Sequence, residues 1–199
     1  MAANAIFIDD LPLHTIDRPT LRERVIAVPQ DAVFLPDGTS FRQNLDPFGA
    51  ADASMCQAAF ETVELWPFVQ ERGGLETGLS ADTLSQGQKQ LFSLGRAILR
   101  RRVRAAAEPS GPVAGVLLLD EVSSSVDQDT DRAMQTVIRD EFAGYTVIMV
   151  SHRLDMVLAT CDTVVVLDQG RVVETGAPAV LVEAEGTRFR ELWLVGKKA

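Results

Sequence analysis

Two adjacent carboxylates follow one of the most apolar runs of the sequence. Asp120 and Glu121 come directly after the run 116–119, and His152 follows a second apolar run that ends at residue 150. In open α/β sheets, ligands bind beyond the carboxyl ends of the strands, so we expect these three side chains to share one sheet edge. One carboxylate there can hold Mg²⁺, and a second can orient or deprotonate an attacking water. With a histidine beside them, these groups suit phosphate chemistry.

Each of these signals is weak by itself. A strand followed by Asp-Glu is more often a solvated strand end than a catalytic pair, and a single histidine is more often structural than catalytic. Delivery of both to the same sheet edge shifts the balance towards a functional site. His14 has no comparable neighbours, and we interpret it as a surface residue.

The run Leu-Ser-Gln-Gly-Gln at 84–88 offers a different kind of site. It precedes a predicted helix, and a serine hydroxyl, a glycine amide and a helix N-terminus can together bind an anion. The alternative is a helix capped by Ser85 with no ligand, and this run alone favours that alternative.

Apolar spacing predicts the elements that would position these residues. Three short runs rich in Val, Ile and Leu are typical of buried parallel strands, and they cover 116–119, 146–150 and 163–167. Helical spacing predicts a helix over 127–142 with Asp127 as its N-cap, and a further helix after residue 151. Alternating strands and helices predict a doubly wound α/β fold.

Other segments predict a second, helical part of the chain. Residues 4–8 and 25–28 are weaker strand candidates, and 168–171 form a turn into a short strand over 172–174. The middle is rich in Ala, Leu, Gln and Arg, which favours helices over 51–69 and 86–104. We therefore predict a core of residues 1–47 and 113–199 and a helical subdomain over about 48–112, with a surface loop at 105–115.

Composition excludes several classes of protein. The 199 residues carry a formal net charge of -9, which argues against an electrostatic nucleic-acid binder. Cys56 and Cys161 make no disulfide framework and no zinc motif, and we interpret them as thiols of a reducing compartment. We expect neither a signal peptide, since the N-terminus lacks a basic region, nor a membrane span, which needs about 20 apolar residues.

Taken together, the motifs resemble the nucleotide-binding domain of an ATP-binding cassette (ABC) transporter. Residues 84–88 are similar to the family's signature loop, 116–120 with Glu121 to the Walker B strand and its catalytic glutamate, and His152 to the switch histidine. The run Ser-Ser-Val-Asp at 124–127 is similar to the D-loop, and Val-Pro-Gln-Asp at 28–31 to the Q-loop. The five elements occur in the family's order.

Finer features resemble one subfamily. Gln30, followed by Phe34, Gly38-Thr39 and the run Asn-Leu-Asp-Pro-Phe at 44–48, is similar to the second cassette of multidrug-resistance-associated (C) transporters. Gln86 stands where the usual signature has glycine. Second cassettes of that subfamily also have signature loops that differ from the usual sequence. This departure puts close backbone approach to a ligand in doubt, because glycine has the least steric bulk.

The resemblance implies a fold, cofactors and a role for each site residue. The fold is P-loop NTPase-like (RecA-like), with a mostly parallel sheet and an inserted helical subdomain, and the cofactors are ATP and Mg²⁺. The implied roles are Mg²⁺ contact for Gln30 and Asp120, action on the attacking water for Glu121, γ-phosphate contact for His152, nucleotide clamping across a dimer for Ser85, Gly87 and Gln88, and a D-loop contact for Asp127.

The implied partners are a second nucleotide-binding domain, bound head to tail, and transmembrane domains. This would place the chain at the cytoplasmic face of a membrane as part of a transporter, without nucleic acid. Ser85 and Glu121 would lie far apart in one chain and act on one nucleotide only across a dimer.

One family motif is missing from the sequence. The Walker A loop, Gly-x-x-x-x-Gly-Lys-[Ser/Thr], does not occur, and lysine is found only at 89, 197 and 198. We therefore expect the chain to begin after that loop, with the N-terminal part of the fold absent, and to be inactive alone. Two alternatives stay open: a catalytically silent cassette that docks its signature loop on another subunit's ATP, and a soluble cassette protein of the DNA-repair or translation type. The run 44–48 argues against the second.

Overall fold

Two units make up the chain, Met1–Val150 and Ser151–Ala199. A computed structural model describes residues 6–108, 114–122 and 126–197. The elements of the first unit are β1 (Phe7–Ile8), β2 (Leu11–Pro12), α1 (Arg18–Arg24), β3 (Val25–Val28), α2 (Phe41–Leu45), α3 (Ala53–Thr62), α4 (Trp66–Glu71), α5 (Gln86–Ala107), β4 (Gly115–Asp120), α6 (Gln128–Glu141) and β5 (Tyr145–Val150). Those of the second are α7 (Leu154–Thr160), β6 (Val164–Asp168), β7 (Arg171–Gly176), α8 (Pro178–Glu183) and α9 (Arg188–Gly196).

A parallel sheet of order β3-β4-β5 forms the centre of the first unit. This confirms the α/β prediction and the strands predicted over 25–28, 116–119 and 146–150. The strands approach closely where β4 begins, because a Cβ atom on Gly115 would lie 2.4 Å from the carbonyl oxygen of Arg24 and 2.7 Å from the Tyr145 ring. Only glycine fits there without displacing β3 or β5.

One face of the sheet packs against the long helix α5. Ile26 and Val28 of β3 and Leu117 and Leu119 of β4 are buried on this face. The buried side chains of α5 meet them and also contact α2 and α3. Phe41, Phe60 and Phe92 are fully buried, and the Phe60 and Phe92 ring centroids lie 5.1 Å apart at an edge-to-face angle. This aromatic packing joins the helical middle of the chain to the sheet.

The side chain of Asn44 is fully buried and makes three hydrogen bonds to the backbone. Its Nδ2 donates to the carbonyl oxygens of Thr39 and Ser40, both at 3.1 Å. Its Oδ1 accepts from the backbone N–H of Leu35 at 2.8 Å. The side chain therefore holds the stretch 35–40 against α2, which begins with a capping box between Ser40 and Gln43.

Arg96 of α5 ties two segments of the first unit together. Its guanidinium donates to the carbonyl oxygens of Val33 and Asn44, and it lies 5.0 Å from the ring centroids of both Phe34 and Phe92. Burial lowers the pKa of Arg96 to about 10. The stretch that follows Gln30 is thereby attached to α2 through one side chain.

Glu141, the last residue of α6, links three helices. Its carboxylate accepts from Arg101 at 2.9 Å and from Arg102 at 2.5 Å, and Arg102 also donates to the Thr62 hydroxyl at 2.7 Å. The Glu141 side chain is only 17% exposed, so solvent screens these pairs less than it screens a surface pair. α3, α5 and α6 are therefore held at a common point.

The helical middle differs in detail from the prediction. The helix predicted over 51–69 is two helices, α3 and α4, separated by a turn in which Glu64 has φ +58°. α5 extends beyond residue 104, into the first part of the predicted loop at 105–115, and residues 109–113 of that loop lie outside the described part of the chain. The elements between 48 and 107 are helical, and the subdomain boundaries near 48 and 112 stay predictions.

The prediction of a third buried parallel strand over 163–167 is wrong. β6 pairs antiparallel with β7, and Val165 and Leu167 are exposed. The reason is the turn between them, where Gln169 and Gly170 have φ +47° and +74°. Two such residues reverse the chain at once and bring β7 back as an antiparallel partner, and β7 is the neighbour that β6 has among the described residues. The predicted turn and short return strand are confirmed.

β5 is parallel, as predicted. The prediction that β5 is buried on both faces is wrong. Val147, Ile148 and Val150 are between 40% and 57% exposed. β5 is an edge strand of the sheet that the described residues form, so it lacks the second neighbour that covers β4. Residues 4 and 5 of the first predicted strand, 4–8, lie outside the described part of the chain, and Phe7–Ile8 of that run form a strand.

Replacing Asn44 with alanine should destabilise the first unit by about 1–3 kcal/mol. The substitution leaves the part-buried Leu35 N–H without its partner, whereas the carbonyl of Thr39 keeps its hydrogen bond from the Leu79 N–H. Urea denaturation gives the free energy of unfolding. The control is Gln70→Ala on α4, where the side chain is exposed. Equal unfolding midpoints for the two variants would contradict the role given to Asn44.

Candidate functional site

The carboxyl end of β4 holds the two acidic residues in different conformations. Asp120 is the last residue of the strand, lies opposite Val150 in the register and is exposed. Glu121 has φ +47°, a conformation that non-glycine residues rarely adopt. Its backbone N–H donates to the carbonyl oxygen of Val150 at 3.0 Å, which continues the ladder one residue past the strand. The chain therefore turns sharply at Glu121 while its backbone stays attached to β5.

Gln30 contacts the carboxylate of Glu121 from the β3 side of the sheet. It lies two residues beyond the end of β3, and its Nε2 donates to Oε2 of Glu121 at 3.1 Å. Gln30 is exposed and Glu121 is half-buried. The sheet edge thus brings together Gln30, Asp120 and Glu121, as the parallel order β3-β4-β5 requires.

His152 belongs to the second unit. It is exposed and lies two residues after the end of β5 in the sequence, in a turn where the Arg153 N–H donates to the Ser151 hydroxyl at 3.0 Å. α7 begins directly after this turn. The expectation that His152 meets Glu121 at one sheet edge stays a prediction.

The run 84–88 forms the N-terminus of the 22-residue helix α5. Ser85 is the N-cap, and its hydroxyl accepts from the Gln88 N–H at 3.1 Å, while Gln88 Oε1 accepts from the Ser85 N–H at 2.9 Å. This confirms the predicted cap and adds a capping box. Because the Ser85 hydroxyl acts here as an acceptor, its own proton can still be donated to an anion. Gln86, which departs from the family's signature, is exposed.

Asp127 caps α6 as predicted. Its carboxylate accepts from the Thr130 N–H at 3.0 Å, from the Thr130 hydroxyl at 2.7 Å and from the Asp129 N–H at 3.0 Å. These hydrogen bonds, those from Thr130 first, hold the pKa of Asp127 below its usual range. Residues 124 and 125 of the proposed D-loop lie outside the described part of the chain.

The oxygen atoms at the sheet edge fit a Mg²⁺ ion whose remaining ligands are waters and phosphates. Among the described residues, no three His, Cys, Asp or Glu side chains cluster closely enough to hold a metal ion. Mg²⁺ is usually held by one or two carboxylates together with waters and substrate phosphates, not by a complete cage of protein ligands. Asp120 and Gln30 supply oxygen donors of that kind.

The contact between Gln30 and Glu121 was not anticipated from the sequence. The two residues lie 91 positions apart. The signal that could have found it is the rule already applied to Asp120, because Gln30 also follows a predicted strand. The strand at 25–28 was too weakly patterned for its neighbour in the sheet to be inferred.

The chain is similar to known proteins in sequence and in fold. The family model for ABC transporters matches residues 2–106, just over half of the chain. The chain belongs to the ABC transporter family. Within that family it corresponds to the nucleotide-binding domain, whose members bind and hydrolyse ATP.

Several ABC transporters of fungi are close in sequence. The ABC-type transporter braE of Annulohypoxylon truncatum is 58% identical over 97% of this chain and 13% of its own length. The ABC transporter FGM5 of Gibberella zeae is 55% identical over the same shares. The ABC multidrug transporter B of Aspergillus fumigatus is 40% identical over 97% of this chain and 12% of its own length. The chain therefore spans about an eighth of these relatives.

A solved ABC structure has the same fold. A bacterial Atm1-family ABC exporter with ATP bound superposes with a TM-score of 0.79 and 26% identity, over 96% of this chain and 32% of the exporter chain. The match shows the P-loop NTPase fold expected of an ABC nucleotide-binding domain. No helix in the described part of the chain combines the length and the apolar character needed to cross a bilayer.

The cap of α6 should depend on pH. A carboxylate whose pKa is lowered by folding adds stability above its unfolded pKa, and this contribution disappears as the pH falls through the folded pKa. Asp127→Asn keeps a capping oxygen but removes the charge. We expect the melting temperature of the chain to exceed that of Asp127→Asn at neutral pH, and this difference to shrink below the ordinary aspartate value of 3.8.

Thermal melts from neutral pH to about 2.5 measure this difference. Asp140→Asn, which removes an exposed carboxylate near the other end of α6, is the control and should keep the pH dependence of the parent. A difference between the parent and Asp127→Asn that stays constant over the whole range would mean that the cap acts without its charge.

Proposed function

We propose that the chain is the part of an ATP-hydrolysing cassette that follows the phosphate-binding loop, and that the cassette powers export across a membrane. The observation that carries the proposal is the convergence of Gln30, Asp120 and Glu121 on one edge of a parallel sheet. A solvated strand end would not need a glutamate held at φ +47° between two neighbouring strands.

The proposal assigns a task to each of these three residues and to His152. Asp120 and the side-chain carbonyl of Gln30 would hold Mg²⁺, which would supply positive charge to the transferred phosphoryl group. Glu121 orients the attacking water and accepts its proton. His152 contacts the γ-phosphate. Since the sequence has no Gly-x-x-x-x-Gly-Lys-[Ser/Thr] run, the amides and the lysine that anchor the phosphates come from a segment outside these 199 residues.

The N-terminus of α5 serves a second cassette. Ser85 caps the helix and Gly87 and Gln88 lie in its first turn, where the helix dipole attracts phosphate. In a head-to-tail pair they contact the nucleotide bound by the partner cassette, and Asp127 contributes from the D-loop. The two cassettes complete each other's sites.

The subfamily is the multidrug-resistance-associated one, with this chain in the second cassette. The run 44–48 carries this assignment by its resemblance, and in the fold Asn44 is fully buried with three hydrogen bonds while Asp46 accepts from the Ala51 N–H at 2.7 Å. The fungal relative named a multidrug transporter and the exporter of known structure favour export as the direction.

A cleft beside Gln30 receives a segment of the membrane domain. It encloses about 830 Å³ between α1, β3, α5 and the stretch 45–50. Phe48 on its rim is 89% exposed and Val33 is 71% exposed, although both are large apolar residues. Such exposure is typical of an interaction site. The relatives are about eight times longer than this chain, so a membrane domain is the occupant that the rest of the protein supplies.

Glu121→Gln should abolish most hydrolysis in a cassette in which a Walker A segment precedes this chain. The substitution keeps the side chain's size but removes its ability to accept a proton, and positioned general bases contribute about 10²–10⁴-fold. ATP binding should survive, so ATP should accumulate on closed cassette pairs. Phosphate release and filter-bound ATP measure the two effects.

Asp120→Asn is the companion variant and should lower nucleotide occupancy itself, because Mg²⁺ support is lost. The 199-residue chain without the added segment should release no phosphate above background. If Glu121→Gln hydrolyses ATP at the parent rate, Glu121 is only a strand-end carboxylate.

Phe48→Ser should weaken the attachment of the cassette to its membrane domain without destabilising the fold, because the ring is almost fully exposed. The measurement is the fraction of a full-length transporter carrying this cassette that stays assembled through detergent extraction and gel filtration. The control is Val180→Ser on α8, where the residue is 65% exposed and lies outside the cleft. Equal assembly of the two variants would refute the docking proposal.

A further inference from the structure

Glu121 is held by both neighbours of β4. Its backbone N–H donates to Val150 at the end of β5, and its carboxylate accepts from Gln30 just beyond the end of β3. A residue at φ +47° gives up favourable backbone conformations and keeps this one only where its surroundings enforce it. The backbone bond supports the turn, and the side-chain bond holds one oxygen of the carboxylate against Gln30.

The bond also fixes which end of the Gln30 amide faces Glu121. A carboxylate accepts hydrogen bonds and an amide nitrogen donates them, so Nε2 faces Oε2 of Glu121 and Oε1 faces away. The two ends of one side chain can therefore perform two tasks at once. The nitrogen contacts Glu121 while the oxygen stays available to a cation.

We infer that Gln30 is a positioning residue for the Glu121 carboxylate, through donation from Nε2 to Oε2, in addition to any contact that its carbonyl oxygen makes with Mg²⁺. The inference rests on the proposed function, in which Glu121 acts on water. Hydrogen bonds to a carboxylate are stronger than those between neutral groups. A donor aimed at one oxygen of Glu121 limits rotation of the carboxylate, and a general base works only from a narrow range of positions.

Gln30→Glu separates the two tasks. It keeps an oxygen ligand at the same distance from the backbone, but it removes the donor and places a negative charge next to Glu121. Gln30→Met removes the donor and the oxygen ligand together while keeping a side chain of similar length. A residue that acts only through Mg²⁺ would tolerate glutamate and not methionine, whereas a positioning residue tolerates neither.

The kinetic test uses a cassette in which a Walker A segment precedes this chain. For Gln30→Glu we expect MgATP affinity within about threefold of the parent and a kcat lower by about 10- to 100-fold, because misplacement of a reacting group costs that much. For Gln30→Met we expect both quantities to fall. Hydrolysis by Gln30→Glu at the parent kcat would overturn the inference.

A spectroscopic test uses the 199-residue chain and needs no hydrolysis. The side-chain amide resonances of Gln30, identified in a ¹⁵N correlation spectrum by their loss in Gln30→Met, should move when Glu121 is replaced by alanine. They should not move in Glu71→Gln, which changes an exposed carboxylate on α4. If the Gln30 resonances keep their chemical shifts in Glu121→Ala, the inference is also overturned.

The two tests keep this inference apart from the proposed function. If the parent cassette hydrolyses no ATP but the Gln30 resonances respond to Glu121→Ala, the proposed function fails and the contact stands. If the parent cassette is active and the resonances do not respond, the proposed function stands and the positioning role is wrong.

Discussion

The hydrogen bond from the Glu121 N–H to the Val150 carbonyl is the constraint on which the rest of the site depends. It extends the parallel ladder of β4 and β5 one residue beyond the strand, at a position where the chain has already turned to φ +47°. Without it, the strand end would have no fixed exit direction. With it, Asp120 and Glu121 leave the sheet in different directions, and adjacent carboxylates can serve different purposes.

This constraint in turn requires that three strands stay in register. β4 can lie between β3 and β5 only because Gly115 lets the backbones approach at its start, and because α5 covers the buried face of β3 and β4. Ser85 caps the N-terminus of α5, so the helix that supports the sheet also presents the run 84–88. The helical middle of the chain and the parallel sheet therefore share a single rigid element.

Much of this arrangement is readable from the residues. The apolar run before Asp120 has the length and composition of a central parallel strand, and Ser85 and Asp127 are typical N-caps, so the strand end and both helix starts follow from local chemistry. The third apolar run has the same composition as a parallel strand, but the turn at Gln169 and Gly170 brings β7 back as its antiparallel partner. Contacts across long stretches of sequence, such as the one from Gln30 to Glu121, depend on strand order, which local patterns do not encode.

Arg96 sets a limit on how far Gln30 can travel. Its guanidinium holds the carbonyl of Val33 and that of Asn44 at the same point on α5, so Val33 is a fixed anchor. Two residues, Asp31 and Ala32, lie between that anchor and Gln30, and three extended Cα–Cα steps span at most about 11 Å. The Cα atom of Gln30 therefore stays within that distance of Val33. Even when its side chain does not contact Glu121, Gln30 remains near the sheet edge.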